Sequence, residues 1–205
     1  MIIQGSPEWF SARLGKATAS KITDILATLK TGEAASRKNY RVELVCERLT
    51  GLKAEGYTNS HMERGTALEP IARALYEFKQ DVVVDEIGFV IHPDMEMSGA
   101  SPDGLIGEDG LVEIKCPTAG NHVDTILSGK SPSKYYAQMQ WQMACTNRLW
   151  CDFVSYCPEV GDKLALFVTR VHRDDAWIVE TEMAVSKFLT EVSELTQQLK
   201  DLQDE

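Results

Sequence analysis

The segment SPDGLIGEDGLVEIK, residues 101–115, decides the fold of this chain of 205 residues. Glu113 and Lys115 are two residues apart, so a β-strand places both side chains on one face and turns Ile114 towards the core. Asp103 joins that face if the preceding strand pairs in the right register, because a slip of one residue moves every side chain to the other face.

The turn between the two strands sets that register. The GEDG sequence at residues 107–110 predicts a hairpin. We expect a three-residue loop, residues 108–110, with Gly110 in the left-handed conformation, which pairs Asp103 with Lys115. All three functional side chains then share one face, whereas a two-residue loop would put Asp103 on the opposite one.

This arrangement indicates metal-dependent phosphodiester chemistry. Two carboxylates on one face are hard oxygen ligands whose mutual repulsion a divalent cation relieves, and Mg²⁺ suits such ligands. The metal would polarise a phosphate and acidify water, and Lys115 could orient or deprotonate that water. The alternative is an exposed hairpin with an ordinary Glu–Lys pair, because the pattern is short.

The flanking sequence predicts a mixed α/β domain, with a central mixed sheet flanked by helices. Ser6 and Pro7 start a first helix that ends at Gly15, and Asp174 starts the last one. The remaining predicted helices cover residues 20–28, 36–51, 68–79 and 133–146. The predicted strands cover residues 81–92, 96–106, 111–115, 149–157 and 163–171.

Composition and charge limit the function classes. At 43% hydrophobic and 25% charged residues the chain is an ordinary globular protein. Without an apolar span or a leader sequence, we expect it in the cytoplasm, with no membrane partner. A net charge of −10 argues against indiscriminate nucleic-acid binding, yet residues 1–50 carry eight lysines and arginines against five acidic residues.

The five cysteines are odd in number, and three of them are evenly spaced at Cys145, Cys151 and Cys157. Some nucleases hold an iron–sulfur cluster with one early and three late cysteines, but the close late pair typical of such sites is absent. We expect these three to be small buried residues near a strand.

Further motifs accompany the catalytic triplet in order along the chain. They are WFSARLGKATAS at residues 9–20, RGTALE at 64–69, SPDGL at 101–105, EIKCP at 113–117 and AQMQ at 137–140. Together they resemble the phage lambda exonuclease family, also called the YqaJ-type viral recombinase family, within the PD-(D/E)xK nuclease superfamily. The resemblance implies a restriction-endonuclease-like fold and one exonuclease domain over residues 1–205.

The resemblance also implies an activity. It is that of a Mg²⁺-dependent 5′→3′ exonuclease on linear double-stranded DNA, with Mn²⁺ as a substitute, which releases mononucleotides and leaves 3′ single strands. It implies a homotrimer ring around DNA, a single-strand annealing protein as partner, and a bacterial or phage-infected bacterial cell. The alternatives are a structure- or sequence-specific endonuclease on the same fold and a non-catalytic DNA-end-binding protein.

The resemblance assigns roles around the metal. Asp103, Glu113 and the carbonyl of Ile114 match metal ligands, and Lys115 matches the residue that serves the nucleophilic water. Glu69 and Gln138 match further active-site members. For Glu69 the alternative is a helix-start acid favoured by the helix dipole, and for Gln138 it is a surface amide on an amphipathic helix.

Three more residues match DNA-binding positions. Arg13 and Ser20 match a pocket for the terminal 5′-phosphate, which a guanidinium, a hydroxyl and a helix start would hold. The alternatives are a surface ion pair for Arg13 and a helix cap for Ser20. Met62 matches an apolar wedge that separates the strands, and packing against a neighbouring helix is its alternative.

Overall fold

The computed structural model describes residues 3–53 and 60–203, excluding the side chains of residues 60–62. Seven α-helices lie in this part of the chain: α1 Pro7–Arg13, α2 Ile22–Ile25, α3 Ala35–Thr50, α4 Ser60–Gln80, α5 Ala119–Ser128, α6 Tyr136–Thr146 and α7 Asp175–Asp201. Seven strands lie among them: β1 Ala17–Thr18, β2 Val90–His92, β3 Met95–Ala100, β4 Gly104–Ile106, β5 Gly110–Lys115, β6 Trp150–Tyr156 and β7 Leu166–His172.

The strands form two sheets, both mixed. The larger has the order β4-β5-β6-β7, in which β5 and β6 are parallel and the other pairs are antiparallel. The smaller has the order β1-β3-β2, with β1 parallel to β3. The mixed α/β fold with flanking helices is therefore confirmed, although the predicted single sheet is divided into two.

Helices cover both faces of the larger sheet, and this fixes where the functional side chains point. Val112 and Ile114 of β5 pack in one apolar cluster with Ala72 and Tyr76 of α4. Leu111 of β5 packs in another cluster with the α6 methionines. Since side chains alternate along a strand, Glu113 lies on the α6 face. Ile114 points into the core, as predicted.

The hairpin register differs from the prediction by one pair. Gly104 pairs with Val112 and Ile106 pairs with Gly110, so the loop covers residues 107–109. Gly107, rather than Gly110, takes the left-handed conformation. Gly110 begins β5 instead because it packs against the Trp150 ring, where a Cβ would lie 2.2 Å from the ring carbons. Each residue of β4 pairs two positions earlier on β5 than predicted. Because side chains alternate between the faces with a period of two, Asp103 stays on the face of Glu113.

The region before the hairpin also differs from the sequence prediction. Helix α4 begins at Ser60 and carries Pro70 in its interior, whereas we expected Pro70 in a first turn. The apolar run at residues 81–92 forms a strand only at Val90–His92. Asp85 makes one isolated bridge to Leu105. Val82 and Val84 therefore pack as extended chain beside the sheet, whereas Val83 is exposed.

Several element boundaries agree with the sequence. Ser6 caps α1 through a bond from the backbone N–H of Trp9, and Asp174 caps α7 in the same way. The second predicted helix is shorter, a 3₁₀ turn at Ala19–Lys21 followed by α2. Helix α5 was not predicted. In the described residues no helix is long and apolar enough to cross a membrane, and the three evenly spaced cysteines are buried thiols, as expected.

Candidate active site

Glu113 is completely buried and held by amide donors from α6. Gln138 donates to its Oε1 at 2.6 Å, and Gln142 donates to its Oε2 at 2.6 Å. Lys115 Nζ also contacts Oε1. A carboxylate without exposure to water is tolerable only when hydrogen bonds and opposite charge replace its hydration. These three partners therefore fix both oxygens of Glu113 in one position.

Asp103 follows β3 and precedes β4, and it meets the same strand. Its Oδ2 accepts a hydrogen bond from the backbone N–H of Ile114 at 2.6 Å, which holds the carboxylate beside that peptide. Burial and the neighbouring Glu113 charge raise the pKa of Asp103 well above its ordinary value. The two carboxylates thus repel each other when no cation lies between them.

Lys115 lies at the end of β5 with part of its side chain exposed. Burial lowers the pKa of Lys115, but the charges of Glu113 and Asp103 outweigh it and raise the pKa overall. The ammonium is consequently held in its charged form beside the carboxylates. The predicted convergence of Asp103, Glu113 and Lys115 on one face is confirmed.

Glu69 lies in a cleft of about 630 Å³ that Asp103 also lines. It sits in the interior of α4, so the alternative of a helix-start acid is wrong. Arg73 binds its Oε1 at 2.8 Å. Burial, together with the charge of Glu113, raises the pKa of Glu69 despite the attraction of Arg73 and Lys115. Glu69 therefore shares the electrostatic field of the two carboxylates.

Arg13 and Ser20 line this same cleft. Arg13 donates to Ser101 Oγ at 3.1 Å and its guanidinium lies 4.1 Å from the centre of the Trp9 ring. Among the described residues it forms no ion pair within 4 Å, so the surface ion pair proposed as its alternative is not found. Burial lowers the pKa of Arg13, which means that a nearby anion would be favourable.

Ser20 differs in detail from the expectation of a helix cap. It is exposed within the 3₁₀ turn, and Thr18 rather than Ser20 occupies the cap position. Its hydroxyl lies 3.5 Å from that of Thr18.

Gln138 is half-buried and donates to Glu113, so the surface-amide alternative is wrong. The side chain of Met62 lies outside the described residues.

The donor set fits a divalent cation of the hard type. Asp103 and Glu113 offer repelling carboxylates, and the Ile114 peptide lies against Asp103. The buried Oε1 of Gln142, whose amide nitrogen binds Glu113, has no hydrogen-bond partner among the described residues. Within the part of the chain that the structure describes, no three His, Cys, Asp or Glu side chains form a ready ligand set, so backbone carbonyl and water oxygens would complete the coordination.

Two residues of the site were missed at the sequence level. Gln142 lies one helical turn after Gln138, and this spacing of four residues on α6 was the available signal. Ser101 accepts from both Trp9 Nε1, at 2.9 Å, and Arg13. Its position within the SPDG motif was visible, but nothing in the sequence linked it to α1, because that contact spans about ninety residues.

Comparison with known proteins identifies relatives over most of the chain. An alkaline exonuclease from Laribacter hongkongensis is 49% identical, with a TM-score of 0.90 over 97% of this chain and 98% of that one. Its structure in complex with dAMP gives a TM-score of 0.91 at the same identity and coverage. A phage-related exonuclease from Haemophilus somnus, at 15% identity, 90% and 96% coverage and a TM-score of 0.75, shares the fold.

A curated relative is more distant. The uncharacterized protein R354 of Acanthamoeba polyphaga mimivirus is 27% identical over 164 residues, which are 74% of this chain and 28% of that protein. The chain thus spans less than a third of that relative's length. Residues 8–149 match the profile of the YqaJ-like viral recombinase domain. Since this match covers more than half of the chain and includes Arg13, Glu69, Asp103, Glu113 and Lys115, the chain belongs to the YqaJ-like viral recombinase family.

Proposed function

We propose that this chain is a Mg²⁺-dependent 5′→3′ exonuclease on linear double-stranded DNA, with residues 1–205 acting as one nuclease domain. The observation that carries the proposal is the cleft that Arg13, Ser20, Glu69 and Asp103 line together. Arg13, whose guanidinium suits a terminal phosphate, lies in the same cavity as the carboxylates of Glu69 and Asp103, which suit a metal site. The likeness to an alkaline exonuclease at 49% identity supports the same activity.

The metal would be held by Asp103, Glu113 and the carbonyl of Ile114, with Mn²⁺ able to replace Mg²⁺. When bound, it would withdraw charge from the scissile phosphate and lower the pKa of water. Gln138 and Gln142 orient Glu113 for this task, because residues that position metal ligands influence affinity and activity strongly. Glu69, at the edge of the same field, would orient the attacking water by accepting a hydrogen bond.

Lys115 would serve the nucleophilic water and the charge that develops on the phosphate. Because the carboxylates keep its ammonium charged, Lys115 acts mainly as a hydrogen-bond donor that stabilises negative charge in the transition state. Arg13 and Ser20 would hold the 5′-phosphate of the terminal nucleotide. Each hydrolysis creates a new 5′-phosphate, which gives the same pocket its next ligand. Met62 remains our proposal for an apolar wedge at the duplex end.

Substrate topology tests this function against its alternatives. Linear duplex and covalently closed circular duplex of the same sequence are incubated with the protein and Mg²⁺, and product size is followed. We expect mononucleotides and 3′ single strands from the linear form and no cleavage of the circle. Cutting of the circle would favour an endonuclease. Binding to linear ends without any cleavage would favour a non-catalytic end-binding protein.

We also propose a homotrimer ring and a single-strand annealing protein as partner. A ring would let a chain of net charge −10 retain DNA, because enclosure and a local basic lining matter more than net charge. The family resemblance supports this assembly. Sedimentation of the free protein should give a trimer, and a monomer that still degrades thousands of nucleotides per encounter would refute the ring.

A further inference from the structure

Lys115 lines a second cleft, of about 300 Å³, which is distinct from the cleft of Asp103 and Arg13. Lys115 lines this second cleft, whereas Asp103 lines the first. The second cleft is at the lower end of the roughly 300–1,000 Å³ that small-molecule sites occupy. Because Lys115 contacts Glu113 and both charges act on Asp103, the group of these three residues borders both cavities.

An aromatic ring with two lysine ammonium groups over it forms one wall of the second cleft. The Lys115 Nζ atom lies 5.3 Å from the centre of the Tyr135 ring, and the Lys134 Nζ atom lies 4.8 Å from it. Tyr135 is half-buried and stacks on Phe153 at 5.5 Å between centroids, which holds the ring in place. A fixed aromatic face flanked by cations is how proteins bind single-stranded nucleic acid.

The rest of the lining is polar at its α5 side. Asn121 and Asp124 of α5 are exposed and line the cleft, where they offer hydrogen-bond donors and acceptors. Ser155 forms part of the lining and is fully buried, with its Oγ 2.7 Å from Nδ1 of His122. Apolar stacking surface and a few polar groups together suit a nucleoside better than an extended peptide or a lipid.

We propose that the second cleft binds the nucleotide on the 3′ side of the bond that is cut, with its base stacked on Tyr135. This inference rests on the proposed exonuclease function. If Arg13 holds the 5′-phosphate in the first cleft and the scissile phosphate lies at Asp103, Glu113 and Lys115, then the next nucleotide can enter the second cleft, which Lys115 lines. Tyr135 is the aromatic ring that it meets there, and Lys134 can reach its backbone.

A single abasic site in the digested strand tests the inference. Duplexes lacking the base of the first, second or third nucleotide from the 5′-phosphate are compared in single-turnover release of the first nucleotide. We expect the single-turnover rate constant, measured with subsaturating enzyme, to fall roughly 5- to 150-fold only when the second base is missing, because its stacking is lost. Insensitivity to the second base, or sensitivity confined to the first, would overturn the inference.

Variants of Tyr135 separate stacking from weakened pairing at the duplex end. Tyr135→Ala should lose the dependence on the second base, whereas Tyr135→Phe, which keeps the ring, should retain it. The abasic site weakens base pairing at the duplex end equally for the unmutated protein and for both variants, so any difference between them reports stacking. Additive effects of the abasic site and Tyr135→Ala would refute the contact. If the unmutated protein releases no 5′ nucleotide even from intact duplex, the proposed function itself fails, and the inference fails with it.

Discussion

Replacement of Gln142 by leucine tests how the buried carboxylate of Glu113 is held. Gln142→Leu keeps nearly the same volume and removes the 2.6 Å hydrogen bond to Glu113 Oε2. Gln138 and Lys115 still hold the other oxygen. The variant therefore loosens Glu113, the proposed metal ligand, without removing it, which distinguishes orientation of Glu113 from its mere presence.

The expected magnitudes for folding and for activity differ. A hydrogen bond to a charged group contributes about 1.5–3 kcal/mol to the free energy of unfolding. Leucine also removes the buried Oε1 of Gln142, which has no partner among the described residues, and this returns about 1–3 kcal/mol. The free energy of unfolding should therefore change by between a gain of about 1.5 kcal/mol and a loss of about 2 kcal/mol. Activity or metal affinity should fall about 10–100-fold, as for other residues that orient metal ligands.

Gln140→Leu is the matched control on the same helix. Gln140 is also completely buried, but its amide bonds the carbonyl of His172 and the N–H of Asp174, away from the carboxylates. Its loss leaves two backbone groups unpaired, at a cost of about 2–4 kcal/mol. Urea denaturation and initial nuclease rates per folded molecule should thus rank the variants in opposite orders. An equal loss of activity in both would refute the role of Gln142.

Three further predictions concern single residues. In EDTA at pH 8, Asp103→Asn should have a larger free energy of unfolding than the unmutated protein. The pKa of Asp103 is raised in the folded protein. The protonated carboxyl therefore stabilises the fold at low pH, and this stabilisation is lost as the pH rises through the raised pKa. The difference should vanish below about pH 4 in urea denaturation, and identical pH profiles would contradict it. Lys115→Ala should keep Ca²⁺-dependent DNA binding but lower kcat about 10²–10⁴-fold; a normal rate would reduce Lys115 to a phosphate contact. Arg13→Ala should abolish any faster digestion of 5′-phosphorylated over 5′-hydroxyl duplex, and equal rates on both ends with the unmutated protein would exclude Arg13 and Ser20 from the site.

The strand carrying Glu113 and Lys115 could be predicted because its signals are local. Alternation along β5 places Glu113 and Lys115 together in any register, and an even-numbered shift keeps Asp103 with them. The register itself was wrong because Gly110 contacts Trp150, forty residues away in the chain. The conformational preferences of the turn residues 107–110 carry no information about a contact with Trp150.

The supporting residues could not be predicted because they depend on how the elements pack. Gln142 reaches Glu113 only because α6 lies on that face of the sheet. The second cleft requires α5, which was not predicted although Val123, Ile126 and Leu127 follow helical spacing. Pro70 suggested a helix start, yet α4 continues through it, since tertiary contacts can outweigh the roughly 3 kcal/mol cost of an internal proline.

The most direct measurement is release of a labelled terminal nucleotide from linear duplex under single-turnover conditions, with the label at either the 5′ or the 3′ end. With Mg²⁺, the unmutated protein should free the 5′ label first, as a mononucleotide, while the 3′ label stays on a long single strand. EDTA or Glu113→Gln should prevent release of either label. Earlier release of the 3′ label, or undiminished release in EDTA or by Glu113→Gln, would contradict a metal-dependent 5′→3′ exonuclease built on Asp103, Glu113 and Lys115.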